Sequence, residues 1–125
     1  MTESLIDTNV FSRIFKGDSK VKSFVESLTA VIDTTVYIEC LQGSKSNREK
    51  QIVDGYLARF AFYPLMPSIS IRAIDLIRTY SNTNGLLLAD ALIAAACLEN
   101  DLTLVTYNIS DFNYIQGLKI LLPPK

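Results

Sequence analysis

Asp90 and Asp111 stand where a carboxylate calls for a chemical explanation. Between Leu86 and Leu98 the only charge is Asp90, set among Leu, Ile and Ala that any core would accept. A buried carboxylate is costly unless something pairs with it or binds it. Asp111 follows the apolar run Leu102–Thr106 by a few polar residues. Upstream, Asp7 ends the triplet LID, and Glu39 lies between Ile38 and Cys40 in a helical run. Each acid alone has an ordinary explanation. Asp7 is a good helix N-cap, Glu39 a solvated helix face, Asp90 a cap for a helix from Ala91, and Asp111 the start of a turn. Gathered in one crevice, the four would repel and raise each other's pKa unless a cation neutralised them. Mg²⁺ and Mn²⁺ favour such an all-oxygen donor set. These ions activate a water and stabilise the charge of in-line displacement at a phosphate. The Asp7-Thr8-Asn9 spacing also compares with the DxDxT of phosphotransferases, but Asn9 in place of a second Asp removes the general acid.

The composition narrows the alternatives. The chain has no histidine, which excludes His-based acid–base catalysis, Ser-His-Asp and Cys-His nucleophiles and His-ligated zinc. Cys40 and Cys97 are isolated from each other and read as reduced, buried thiols. A formal net charge of −1 gives no general nucleic-acid footprint, although the balance turns positive once four acids are neutralised. The longest apolar run is well short of a membrane span and contains Asp90. MTESLIDTNV lacks a basic region ahead of its apolar residues, so it is not a secretory signal, and a cytoplasmic location is expected. Without a signal peptide, the sequon Asn108-Ile109-Ser110 is a chance match. With 125 residues, the chain is expected to form one domain.

Strand-like and helical runs alternate, as in an α/β domain with a parallel sheet. Strands are expected at 4–7, 30–33, 62–66 (ended by Pro67), 102–106 and 118–122 (stopped by Pro123 and Pro124). Helical spacing joins Val21, Phe24, Val25 and Leu28, and a helix over 34–43 closes at its glycine. Ile52, Val53, Tyr56, Leu57 and Phe60 mark a further helix, opened by the charged segment 45–50. Ser68 is expected to cap a helix carrying Ile69, Ala73, Leu76, Ile77 and Tyr80. A polar loop over 81–85 then leads to the helix around Asp90. In such sheets ligands bind beyond the carboxyl ends of the strands, where strand order reverses. With strands 1 and 4 as neighbours, Asp7 and Asp111 would share that crevice, and Glu39 and Asp90 would enter from flanking helices.

LIDTN, YIECLQG, LADALIAAACLENDLTLVT and TYNISDF occur in this order over most of the chain. Together they resemble a PIN domain, in size and spacing most similar to the VapC-type toxins of type II toxin–antitoxin pairs. The resemblance implies one PIN domain over residues 1–125, a three-layer α/β/α fold with a five-stranded parallel sheet in the order 3-2-1-4-5. It also implies a Mg²⁺- or Mn²⁺-dependent endoribonuclease, a homodimer, and a VapB-like antitoxin that inserts a segment into the acidic crevice. The family's catalytic and metal-binding acids carry over onto Asp7, Glu39, Asp90 and Asp111, and its polar helpers onto Thr106, Asn108 and Asn9. Two positions depart from its pattern. Tyr107 stands where Arg is frequent, and Asp33 where a small hydroxyl residue is common.

For the RNA, Lys45, Arg48 and Lys50 form one basic segment, and Arg13, Lys16, Lys20 and Lys22 another, either of which could meet phosphates. Phe11, Phe15 and Tyr37 could stack bases, although aromatics at such spacing usually belong to a core. The expected activity is RNA hydrolysis by a metal-activated water, leaving a 5′-phosphate. A housekeeping PIN nuclease without antitoxin is the alternative. A receiver-type Mg²⁺-binding signalling module is disfavoured, because the chain has only Asp7 early on and Lys119 lies within strand 5.

Overall fold

The computed structural model describes residues 2–125; residue 1, the first of the expected domain span, lies outside the described residues. In chain order the elements are β1 (Ser4–Ile6), α1 (Thr8–Phe15), α2 (Ser19–Ser27), β2 (Ala30–Asp33), α3 (Thr34–Gln42), α4 (Asn47–Leu57), β3 (Ala61–Tyr63), α5 (Pro67–Asn84), α6 (Leu88–Asn100), β4 (Thr103–Val105), a 3₁₀ turn (Ile109–Asp111) and β5 (Lys119–Leu121). The five strands form one sheet in the order β3-β2-β1-β4-β5. Every pairing is parallel, with Leu5 opposite Val31 on one side and Leu104 on the other. This is the expected α/β architecture and strand order.

The burial pattern explains the layering. Successive strand residues point to opposite faces, yet Ser4, Leu5 and Ile6 are all buried, so helices cover both faces of β1. The edge strands β3 and β5 are largely exposed. Behind the sheet, α6 buries Ala91, Ile93, Ala94, Ala95, Ala96 and Cys97. Four alanines let this helix sit close to its neighbours, so its first turn, with Asp90, has a fixed place. The two thiols are free and buried, as expected, and burial pushes Cys40 up to about 12.

Several boundaries differ from the sequence reading for identifiable reasons. The helix expected from Val21, Phe24, Val25 and Leu28 is α2, and a helix not anticipated from the sequence, α1, precedes it; the two are separated at Gly17, whose φ of +97° is a left-handed conformation that L side chains rarely adopt. Asp7 and Asp18 cap them, accepting from the Thr8 and Val21 N–H groups respectively. β3 stops at Tyr63 instead of running to Met66, because Pro64 has no N–H to give the ladder. Ser68 is not the cap of α5. Met66 holds that position, and Pro67 opens the helix with a preset φ. The expected loop over 81–85 is helical through Asn84 and ends at Gly85, with φ +73° and an N–H donated to Ser81 O.

Asp33, at the end of β2, is 1% exposed. Its Oδ1 caps α3 by accepting from Val36 N–H at 2.9 Å, while Oδ2 has no partner among the described residues. Burial raises its pKa to about 6 against the Val36 hydrogen bond, and the charges of Asp7 and Glu39 add to the rise. The folded state therefore holds this proton more tightly than the unfolded chain. The associated stability is present below the unfolded value of 3.8 and is lost as pH rises through about 6. A shift of that size corresponds to at most about 3 kcal/mol. Asp33→Asn keeps the cap acceptor and removes the charge. It should therefore melt above the unsubstituted protein at about pH 8 in chelator, with the gap closing toward about pH 4. Thermal melts with the same gap at both pH values would show that Asp33 does not titrate in this way.

Candidate active and metal site

The site is built where β1 and β4 end side by side. Asp7 follows β1 and is buried; its own N–H donates to Val105 O across the pair. Asp7 Oδ1 accepts from Thr8 N–H at 2.7 Å. Its Oδ2 accepts from the Thr106 hydroxyl at 2.8 Å and from Asn9 Nδ2 at 3.2 Å. Thr106 is fully buried, and with its proton on Asp7 its oxygen accepts from Asn9 Nδ2 and Asn108 N–H, both at 3.1 Å. Asn9 Oδ1 in turn accepts from Tyr107 N–H at 3.1 Å. Burial nevertheless raises the Asp7 pKa over the lowering effect of Thr106 and Thr8, with the Glu39 charge adding to it.

The other acids surround this knot. Glu39, half-buried on α3, accepts the Thr8 hydroxyl at 2.6 Å, so one α1 residue links it to Asp7. Asp90 lies in the first turn of α6, half-buried, and its carboxylate enters no hydrogen bond among the described residues. Its pKa is raised to about 6, first by burial and then by the charges of Asp7, Asp111 and Glu39. Asp90 thus lies within electrostatic reach of the other three. Asp111 is on the exposed rim, in the 3₁₀ turn, with its N–H donated to Asn108 O. Of the polar residues singled out from the sequence, Thr106 and Asn9 join the network through side chains, and Asn108 through its backbone N–H. Sequence reasoning missed the Thr8 hydroxyl, although Thr8 stands between two residues it had named.

Helix ends moderate the repulsion. Asp7 and Asp33 are N-caps, and Asp90 lies in an N-terminal turn with no side-chain cap. Each carboxylate therefore faces the positive end of a helix macrodipole. No group of three acidic or cysteine side chains among the described residues forms a closed metal cage. The donors do fit a hard cation that keeps part of its water shell, as Mg²⁺ does when bound through one or two carboxylates. The unpartnered, half-buried Asp90 carboxylate is the observation behind that fit.

The candidate RNA contacts divide by their surroundings. Lys45, Arg48 and Lys50 are exposed in the α3–α4 connection and the start of α4, and Lys16 is exposed at the end of α1. Arg13 is engaged: it pairs with Asp18 at 2.8 Å, and its Cζ lies 4.6 Å from the centre of the Tyr107 ring. Phe11 cannot stack a base, because it is fully buried against Phe15, Tyr56 and Phe60 on the apolar face of α1. Tyr37 is half-buried with its hydroxyl on Asp54, and Phe15 is at the surface. No helix among the described residues is long and apolar enough to cross a membrane.

Comparison with known proteins agrees with this fold. A toxin–antitoxin complex from Klebsiella pneumoniae contains a chain 27% identical, with a TM-score of 0.79 over 94% of this chain and 95% of that one. VapBC2 from Rickettsia felis, bound to a DNA fragment from its promoter, is 26% identical, with a TM-score of 0.80 over 96% and 98% of the two chains. DNA-bound VapBC from Salmonella typhimurium, at 23% identity, shares the fold with a TM-score of 0.83 over 98% of each chain. No curated protein matches the chain. The PIN domain matches residues 4–117, nearly the whole length, and the chain belongs to the PIN domain family.

Proposed function

We propose that this protein is a Mg²⁺- or Mn²⁺-dependent endoribonuclease, the toxin of a toxin–antitoxin pair, acting in the cytoplasm as a homodimer. The observation that carries the reading is the half-buried, unpartnered Asp90 carboxylate, raised first by burial and then by the charges of Asp7, Asp111 and Glu39 where the ends of β1 and β4 meet. Solved relatives named as toxin–antitoxin complexes support a VapB-like antitoxin as the partner. PIN nucleases generally use divalent metal ions, which supports the cofactor.

Asp7, Glu39, Asp90 and Asp111 would hold the ion. When bound there, it supplies an activated water and charge neutralisation for in-line attack on an RNA phosphodiester, with a 5′-phosphate left on the product. The chain's own residues supply the orientation. Thr106 and Asn9 hold Asp7 Oδ2, and the Thr8 N–H holds Oδ1, so that carboxylate cannot rotate. Thr8 fixes Glu39 in the same way. Asp90, which has no donor of its own, is left available to a cation. Asp111 is exposed on the rim, where its carboxylate would complete the ion's ligand set from the solvent side. Asn108 braces Thr106 through its N–H and keeps its side chain outside that network.

With Mg²⁺ or Mn²⁺ the protein should cut single-stranded RNA, and excess EDTA should stop it. Asp7→Asn and Asp90→Asn should each reduce cutting by at least about 100-fold. Undiminished cleavage by either variant, or in EDTA, would rule out this mechanism. Metal affinity should also weaken as pH falls through about 6, because a proton on Asp90 competes with the cation. Calorimetric titrations giving one affinity from about pH 5 to about pH 8 would remove Asp90 from the ligand set. In cells, expression of this chain should arrest growth, and co-expression of the neighbouring antitoxin frame should relieve it. Normal growth at good soluble expression would argue against the toxin role and leave the nuclease open to the cleavage assay.

A further inference from the structure

An open cleft of about 500 Å³ lies beside the acidic crevice, lined by Arg13, Lys16, Gly17 and Asp18. Its walls are connected to the site through named contacts. Tyr107 donates its N–H to Asn9, which bonds Asp7, while its hydroxyl donates to the Pro124 carbonyl and holds the ring. The Arg13 guanidinium lies over that ring, with Cζ 4.6 Å from its centre. Arg13 Nε and Nη2 both donate to a single oxygen, Asp18 Oδ2, at 3.2 and 2.8 Å. Asp18 Oδ1 is occupied in capping α2. Among the described residues Arg13 Nη1 has no acceptor, so one edge of a pre-oriented fork remains to be used. Such an edge on an aromatic platform suits a phosphate, which accepts from a guanidinium through two oxygens. Lys16, exposed on the same cleft, adds a second cation.

The electrostatics of the site give this cleft a use. Asp7, Asp33, Glu39, Asp90 and Asp111 present negative charge to any phosphodiester that approaches, and a cation in the crevice offsets that only locally. A strand leaving the crevice on the Tyr107 side meets Arg13 and Lys16. We infer that this cleft binds a backbone phosphate of the RNA strand adjacent to the cleaved bond through the free edge of Arg13, and that the Asp18 carboxylate on the other edge offsets part of the charge the phosphate meets. This rests on the nuclease reading above and adds to it a substrate subsite that uses Tyr107 as its platform.

The test measures binding of a fluorescein-labelled single-stranded RNA of mixed sequence, by anisotropy, to full-length Asp90→Asn protein across a salt series. Adding Arg13→Ala and Lys16→Ala should weaken binding about 10-fold and lower the slope of log affinity against log salt by about 0.7, the amount for one phosphate on a single strand. Asp18→Asn keeps an acceptor for the α2 cap and removes the negative charge beside Arg13, so it should tighten binding about threefold. That gain cannot come from damaged folding. Tyr107→Phe keeps the platform and should bind like the parent, whereas Tyr107→Leu should weaken binding. Unchanged affinity and salt slope in the Arg13/Lys16 variant, with RNA still cut by the unsubstituted protein, would overturn the cleft and spare the nuclease. RNA neither bound nor cut by the unsubstituted protein would overturn both. A poly-glutamate peptide that needs Arg13 and Lys16 where RNA does not would assign the cleft to an acidic protein segment and overturn the inference.

Discussion

The buried hydrogen bond from the Thr106 hydroxyl to Asp7 Oδ2 holds the site together. It joins the ends of β1 and β4, the neighbouring strands at which the sheet's order reverses, across 99 positions of sequence. A hydrogen bond to a charged group contributes about 1.5–3 kcal/mol, and losing one partner in a buried place costs the desolvation of the other. Thr106 also accepts from Asn9 and Asn108, so its hydroxyl is fully used and its rotamer has no alternative. The orientation of Asp7 follows from that arrangement. Through Thr8, so does the placement of Glu39.

Around this bond the fold tolerates a concentration of negative charge that its interior would otherwise reject. Asp7, Asp33 and Asp90 are all held at helix N-terminal ends, where aligned peptide dipoles favour a carboxylate. The compensation is incomplete. Asp33 and Asp90 both remain raised to about 6, with burial the largest cause for each. The protein therefore folds around a site that still favours protons or a cation. Asp33 carries this furthest, as a cap through one oxygen while the other lies buried without a partner.

Much of the architecture was legible in the chain because its signals are local. Alternating apolar strands and helical periodicities located all five strands to within a few residues, and the acids flanking them pointed to the crevice. The errors have local causes too. The helix α1 over Thr8–Phe15 went unread because it is only eight residues long, and Pro67 opens α5 where Ser68 reads as a cap. The polar residues Ser81–Asn84 stay helical because that helix end is largely exposed and Gly85 terminates it a turn later than composition suggests. Phe11 read as a candidate base-stacker, yet it faces Phe60 and Tyr56 in the core. Which face of a short helix is buried depends on partners that a single segment does not reveal.

The amino-acid sequence by itself determined the kinds of chemistry open to this protein. Without histidine it has only oxygen donors, lysines, arginines and two buried thiols, and it places a lone carboxylate in an alanine-rich helix that needs a counterpart. It also determined the alternation of strands and helices, since these periodicities are local. The tertiary structure alone decided which groups meet. Thr106 was bound to Asp7, Thr8 to Glu39, and Arg13 was set against Asp18 and the Tyr107 ring. Such contacts depend on side-chain direction at the ends of paired strands and first turns of helices. Those directions exist only once the parallel sheet has set the register.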